Sequence, residues 1–247
     1  MTINNIAWAI TGAGHYLAET FNVMLNLVKK HNFKITVFLS AAGLEVVRMY
    51  GLLDKLKEVA RGGYLSEIFT DDTQGSSYPK SARLARGVYK ALVVSPATAN
   101  TVAKIVNGIT DNLVTNAVAH AQKSGTPVIV VPTDQDLGYI ETSLPHMVDR
   151  DTCKGCKVCS AIEGCKHSAI SMVEGKASID LLKCTGCSLC LPCCPYGAIT
   201  VGRVIKVKPR KIDLENVERL KRMEGTIVLR NPMEIEEALN SIVKRRA

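Results

Sequence analysis

The sequence has no uninterrupted apolar run approaching the roughly 18 to 20 residues that a membrane-spanning helix needs, so no membrane association is expected. Its first residues, MTINNIAWAI, lack the basic segment and long apolar run of a secretory signal. Both absences make the reducing cytoplasm the expected compartment, where grouped cysteines bind metal more often than they form disulfides. Also missing is any stripe of lysine and arginine interleaved with aromatic residues. Aromatics are only 5% of the chain, so a nucleic-acid partner is not expected despite a formal charge of +8. That basicity suits an anionic cofactor or substrate instead. At 247 residues, 47% of them hydrophobic, the chain can bury a sizeable core as one large domain or a domain with an appendage.

What the sequence does have is cysteine, all of it in one place. The nine cysteines fall between residues 153 and 194 in two similar runs. The second, Cys184-x2-Cys187-x2-Cys190-x3-Cys194-Pro195, has the spacing of bacterial two-cluster ferredoxins. The first, Cys153-x2-Cys156-x2-Cys159-x5-Cys165, repeats it with a longer last interval and Lys166 in place of the proline. The repeat continues beyond the cysteines, Ala169-Ile170-Ser171 echoing Ala198-Ile199-Thr200. Three cysteines at three-residue intervals can each reach a different iron of one cubane, and the fourth ligand comes from the other run. The expected ligand sets are therefore Cys153, Cys156, Cys159 and Cys194 for one [4Fe-4S] cluster, and Cys184, Cys187, Cys190 and Cys165 for the other. Cys193 is left over as a small packed residue. Zinc fits less well, because its sites gather four ligands in paired short-spaced units. Two oxidised clusters, at about −2 each, would halve the chain's positive excess.

Outside the cysteines, short apolar runs alternate with amphipathic stretches, the grammar of βα units around a parallel sheet. Strands are expected near residues 6–11, 35–40, 91–95 and 128–131, and a helix over 98–121, broken or kinked at Gly108. After the cysteines the same grammar returns with a helix over 213–223, a strand over 225–229, and a last helix opened by Asn231-Pro232. Two readings of this tail stand: it completes the sheet, or it is a separate appendage. The first makes the fold α/β, a Rossmann-like (flavodoxin-like) parallel sheet over residues 1–147 and 206–247, with an inserted α+β two-cluster ferredoxin domain over 148–205.

Ligands of doubly wound sheets sit beyond the carboxyl ends of the strands, with phosphates at helix N-termini. Three strand ends offer small residues, hydroxyls and free amides: Thr11-Gly12-Ala13-Gly14-His15, Ser40-Ala41-Ala42, and Ser95-Pro96-Ala97-Thr98-Ala99-Asn100-Thr101. Leu17 stands where a dinucleotide loop has its third glycine, and there is no Lys-Ser/Thr ending of a triphosphate loop. Each loop alone reads equally as a tight turn. Together they suit one monophosphate, as in FMN.

The segment SPATANTVAKIVNGITDNL, residues 95–113, resembles the signature of the flavoprotein family that includes flavin-dependent cysteine decarboxylases and flavin prenyltransferases. The resemblance implies an FMN-binding domain in a homo-oligomer built from trimers, with flavin near subunit interfaces. By motif position, Gly12, Ala13, Gly14, Ser40, Thr98, Ala99, Asn100 and Thr101 would surround the flavin, and Thr133 would touch it. His15 would either reach the phosphate or be a solvated or packed histidine. Decarboxylases of the family carry a Pro-x-Met-Asn-type segment where this chain has Pro132-Thr133-Asp134-Gln135. The Thr11–His15 opening and the ferredoxin insert resemble instead the pterin-reducing branch, the archaeal dihydromethanopterin reductases, which implies an external electron donor in place of NAD(P)H.

The expected function is thus an iron-sulfur flavoprotein oxidoreductase. A ferredoxin or similar low-potential donor feeds two clusters, and FMN converts single electrons to a hydride for a dihydropterin. Two alternatives stand beside it: an electron-transfer flavoprotein with no substrate of its own, and a decarboxylase-type enzyme. No side chain is singled out as the acid. Asp134, Asp136 and Tyr139 follow a promising strand but read equally as surface groups.

Overall fold

A computed structural model describes residues 4–245. In chain order it runs β1 (Asn4–Ile10), α1 (Leu17–Lys30), β2 (Phe33–Leu39), α2 (Ala41–Met49), α3 (Leu53–Val59), β3 (Ile68–Thr70), α4 (Asp71–Gln74), α5 (Ala82–Ala85), β4 (Leu92–Ala97), α6 (Ala99–Val106), α7 (Leu113–Lys123) and β5 (Val128–Pro132). A cysteine-bearing segment follows, with β6 (Ile140–Ser143), β7 (Met147–Val148), α8 (Ser160–Glu163), β8 (Ile170–Val173), β9 (Lys176–Ile179), β10 (Ile199–Thr200) and β11 (Val204–Val207). The end is α9 (Lys211–Lys221), β12 (Thr226–Val228), a 3-10 turn at Pro232–Glu234 and α10 (Ile235–Arg245). Among the described residues no helix is long and apolar enough to cross a membrane.

Six strands make one sheet in the order β12-β5-β4-β1-β2-β3, and every neighbouring pair is parallel. This is the Rossmann order 3-2-1-4-5-6 with β12 in sixth place. It corrects the flavodoxin-like part of the expected fold class, whose order would be 2-1-3-4-5. The tail therefore completes the sheet. Side chains alternate across it as a doubly covered sheet requires. Ile6, Trp8 and Ile10 of β1 pack with α1, α2, α3 and α10, while Ala7 and Ala9 pack with α6, α7 and α9 on the other face. Trp8, the single tryptophan, is fully buried and donates its indole N–H to Ser95 O at 3.0 Å.

Of the two outcomes expected at Gly108, a break and a kink, the chain shows the break, and α6 and α7 are separate helices. Gly108 adopts φ +69°, and the Ile109 N–H returns to Lys104 O at 2.9 Å, closing α6. Asn112 then caps α7, its side chain accepting from Thr115 N at 2.9 Å in a capping box.

The cysteine-bearing segment leaves and rejoins the body through one ribbon. β6 and β11 pair antiparallel from Ile140↔Val207 to Ser143↔Val204, and β7 pairs with β10 just beyond. The hairpin β8–β9 turns through Glu174 and Gly175, both at positive φ as a primed turn requires. Ala161, Ile170, Ala177, Ala198 and Ile199 make a separate small core with Cys153 and Cys190. The isoleucines of both copies of the Ala-Ile echo, Ile170 and Ile199, lie in it, each pairing across its own two-stranded ladder.

Candidate functional site

The strand order reverses between β1 and β4, and the chain beyond their carboxyl ends opens the crevice where such sheets bind ligands. Thr11 ties the two ends together. Its hydroxyl donates to Pro96 O at 2.7 Å and accepts from Thr98 N at 2.9 Å. Thr98 caps α6, accepting from Thr101 N at 3.2 Å, and its hydroxyl lies 3.0 Å from Thr101 Oγ1. From β5, Thr133 donates its N–H to Ala97 O at 3.0 Å. Gly12 and Gly14 allow close approach. A Cβ on Gly12 would meet Ala42 Cβ at 2.7 Å, and one on Gly14 would run into the Tyr50 hydroxyl.

A cavity opens at this point. Gly12, Ala13, Gly14 and His15 border it from the β1 loop, Thr98 from β4, and Thr133 and Asp134 from β5. Ile140 and Thr142 of β6 and Val207 of β11 complete the wall. Six of the ten expected flavin-contact residues are thus brought together. The other four stand outside this wall. Ser40 caps α2, accepting from Gly43 N at 3.0 Å. Thr101 is buried behind Thr98, Ala99 is half-buried, and Asn100 is exposed on the first turn of α6. The sequence reading missed Ile140, Thr142 and Val207, which carry no motif. Only the β6–β11 pairing brings them here.

His15 and Asp134 are the ionisable side chains on this wall. Burial holds the His15 imidazole below its usual value, opposed by the carboxylates of Glu19, Asp134 and Asp136. Asp134 accepts a hydrogen bond from Thr133 Oγ1 at 2.5 Å. Asp136 and Tyr139 are exposed. Gln135 fastens this turn to the end of β12 by donating to Leu229 O and Arg230 O at 3.1 and 2.8 Å.

All nine cysteines are free thiols, and eight border two further cavities. Cys153, Cys156, Cys159 and Cys194 border one, and Cys165, Cys184, Cys187 and Cys190 border the other. The long interval before Cys165 is taken up by the helical turn α8. Backbone N–H groups point at three of the sulfurs: Ala177 at Cys153 (3.4 Å), Ala169 at Cys165 (3.3 Å) and Gly186 at Cys184 (3.5 Å). Those of Ala177 and Gly155 hold the Cys153 thiol below its usual value, with help from Lys176 and Arg150. Burial, then the sulfurs of Cys184, Cys165 and Cys187, push the Cys190 thiol up. Among the described residues no three His, Cys, Asp or Glu side chains converge as on a single metal ion. Cys193 borders neither cavity and donates to Leu189 O at 3.2 Å.

The family model described as Flavoprotein matches residues 1–147, more than half of the chain. The chain belongs to the flavoprotein family. Within that family it is 47% identical, over 96% of its length and 99% of the relative's, to the dihydromethanopterin reductase (acceptor) of Methanosarcina mazei. It is 45% identical to the enzyme of the same description from Methanocaldococcus jannaschii, over 95% of each chain. Among solved flavoprotein structures, DmrB of Burkholderia xenovorans superposes with a TM-score of 0.62 at 27% identity, covering 98% of this chain and 96% of that one. That protein was solved with FMN and is described as a cubic protein cage for redox transfer. The cavity described above is built largely from the stretch that the family model matches.

Proposed function

We propose that this flavoprotein is an FMN- and iron-sulfur-dependent reductase that reduces dihydromethanopterin, drawing electrons from a ferredoxin-like low-potential donor through two [4Fe-4S] clusters. The near-half identity with dihydromethanopterin reductases over almost the whole chain supports the reaction. The observation that carries the electron-transfer part is the sorting of eight cysteines into two groups of four, each set around a cavity. Each group draws three cysteines from one run and one from the other, as two-cluster ferredoxin ligation requires. Backbone N–H groups aimed at sulfur also suit thiolate ligands.

When bound, the clusters carry single electrons and FMN delivers two of them together as hydride. The chain's own residues hold and orient. The Gly12–Gly14 loop, in which Ala13 donates its N–H to Thr11 O at 2.8 Å, and the Thr98 side chain stand at a strand end with a helix N-terminus beside them, which suits a phosphate. Ile140 and Val207 offer apolar surface to a flat ring. Asp134, whose carboxylate accepts from Thr133 Oγ1, is the acidic side chain that borders this cavity. The cubic cage of the Burkholderia protein supports a homo-oligomer here.

Anaerobically purified protein supplied with reduced ferredoxin and dihydromethanopterin should form the tetrahydro product. Electron uptake without turnover of any dihydropterin would leave an electron-transfer flavoprotein instead and refute the reductase reading.

A further inference from the structure

Two buried side-chain atoms without a hydrogen-bond partner meet at one cavity. They are His146 Nδ1 and Thr185 Oγ1, and both residues border the cavity of Cys165, Cys184, Cys187 and Cys190. Neither residue borders the other four-cysteine cavity. His146 is only 4% exposed, and its ring is held by Nε2, 2.9 Å from Ser188 Oγ. It lies between β6 and β7, where the chain passes from the flavoprotein body into the cysteine-bearing segment. One side chain thus joins the hinge to the Cys187–Cys190 loop.

Buried polar atoms in native proteins are almost always matched, so two unmatched atoms on one wall imply a group that matches both. Thiolate and sulfide sulfurs only accept hydrogen bonds. Thr185 can donate to them directly. An imidazole can do so from Nδ1 when the Ser188 hydroxyl donates to Nε2, which places the ring hydrogen on Nδ1. Such bonds favour the reduced cluster, which carries one more negative charge, and therefore raise its potential.

We propose that His146 Nδ1–H and Thr185 Oγ1–H donate to the sulfurs of the cluster held by Cys165, Cys184, Cys187 and Cys190, setting its potential above that of the other cluster. The inference rests on the two-cluster reading given above. It has a functional corollary, because this cavity is the one whose cysteine loop meets the flavoprotein body, at Gly51. A higher potential there makes electron flow toward the body downhill.

The test is a redox titration followed by electron paramagnetic resonance on the full-length, anaerobically purified protein. His146→Leu should lower the potential of one cluster only, with iron content unchanged. The reduced-to-oxidised ratio at fixed potential should fall about tenfold, which is about 59 mV for a one-electron couple. His146→Gln, which keeps an N–H donor, should recover part of the shift. Thr185→Val should move the same cluster in the same direction, and it carries the test if His146→Leu loses iron. In the wild type, a proton that exchanges in D2O should couple to that cluster's signal and be absent from His146→Leu. Unchanged potentials in the iron-replete variants, or no exchangeable proton coupling in the wild type, would overturn the inference. Fewer than eight irons in the wild type would instead refute the two-cluster reading and the inference with it.

Discussion

Gly186, between Cys184 and Cys187, lies directly against Gly51 at the end of α2. A Cβ on Gly186 would run into the Gly51 nitrogen, and one on Gly51 would stand 2.7 Å from the Gly186 carbonyl oxygen. Both glycines have positive φ, +65° at Gly186 and +69° at Gly51. The contact leaves no room for a side chain, and it sets one four-cysteine cavity against the flavoprotein body. The same stretch also supplies Tyr50, whose hydroxyl donates to Ser143 O at 2.6 Å and fastens the β6–β11 ribbon.

Gly186→Ala should therefore separate the two parts locally without removing a ligand. The left-handed conformation alone costs a non-glycine residue roughly 1–2 kcal/mol, and the backbone clash adds to it. A lower melting temperature with slowed electron passage to the flavin is expected, and stopped-flow reduction of the flavin by reduced ferredoxin measures it.

Cys193 and Cys194 are neighbours with opposite expected roles. Cys194 borders a four-cysteine cavity, whereas Cys193 bonds to Leu189 O and packs where a Cβ on Gly164 would meet its sulfur at 2.5 Å. Wild-type protein should contain about eight irons per chain. Cys193→Ser should leave that number unchanged, while Cys194→Ser should lower it toward about four. Iron and acid-labile sulfide analysis of the two variants decides.

The flavin released by denaturation should be FMN, about one per chain, because one set of phosphate-holding loops is present. Thr98→Ala should reduce its retention and also cost roughly 1 kcal/mol through the lost helix cap. Asn100→Ala should have a smaller effect on retention, because Asn100 lies on an exposed turn outside the cavity wall. Equilibrium dialysis against FMN separates binding from stability. FAD as the sole flavin would contradict the assignment.

What the sequence made legible was whatever short-range pattern encodes. Continuous apolar strands between amphipathic stretches announced the parallel sheet, and cysteine spacing alone sorted eight thiols into two groups. Long-range pairing was not legible. Ile140, Thr142 and Val207 look like ordinary strand residues, and only the β6–β11 ladder carries them to the cavity. Asp71 is another such case, accepting from Ala41 N at 2.7 Å and from Leu113 N at 2.8 Å and so joining the starts of α2 and α7. The interruption expected at Gly108 is a break because a glycine at positive φ and an asparagine cap four residues later stop one helix and start another.

The half-buried pair Glu67–Arg83 predicts an acid-sensitive component of stability. The Arg83 guanidinium holds the Glu67 carboxyl below its usual 4.5. A depressed carboxyl contributes stability that is complete above the unfolded value and is lost as the pH falls through the folded one. Glu67→Gln should therefore be less stable than wild type at pH 7, by roughly 1–2 kcal/mol, with the difference shrinking below about pH 4. Chemical denaturation of both proteins across this range measures it.

The central claim is that electrons reach the flavin through the cysteine-bearing segment, and one paired measurement tests it. Cys184, Cys187 and Cys190 are replaced together by serine, and dihydropterin reduction is followed with two reductants, reduced ferredoxin and a small chemical reductant that reaches the flavin directly. The segment has its own small core, so the sheet and its FMN should persist, with flavin content and oligomeric state as controls. The account predicts that activity with the chemical reductant survives while ferredoxin-driven activity is lost. Full ferredoxin-driven activity in the triple variant would contradict a conducting role for that site. Loss of both activities together with FMN would show that bound metal serves to hold the fold instead.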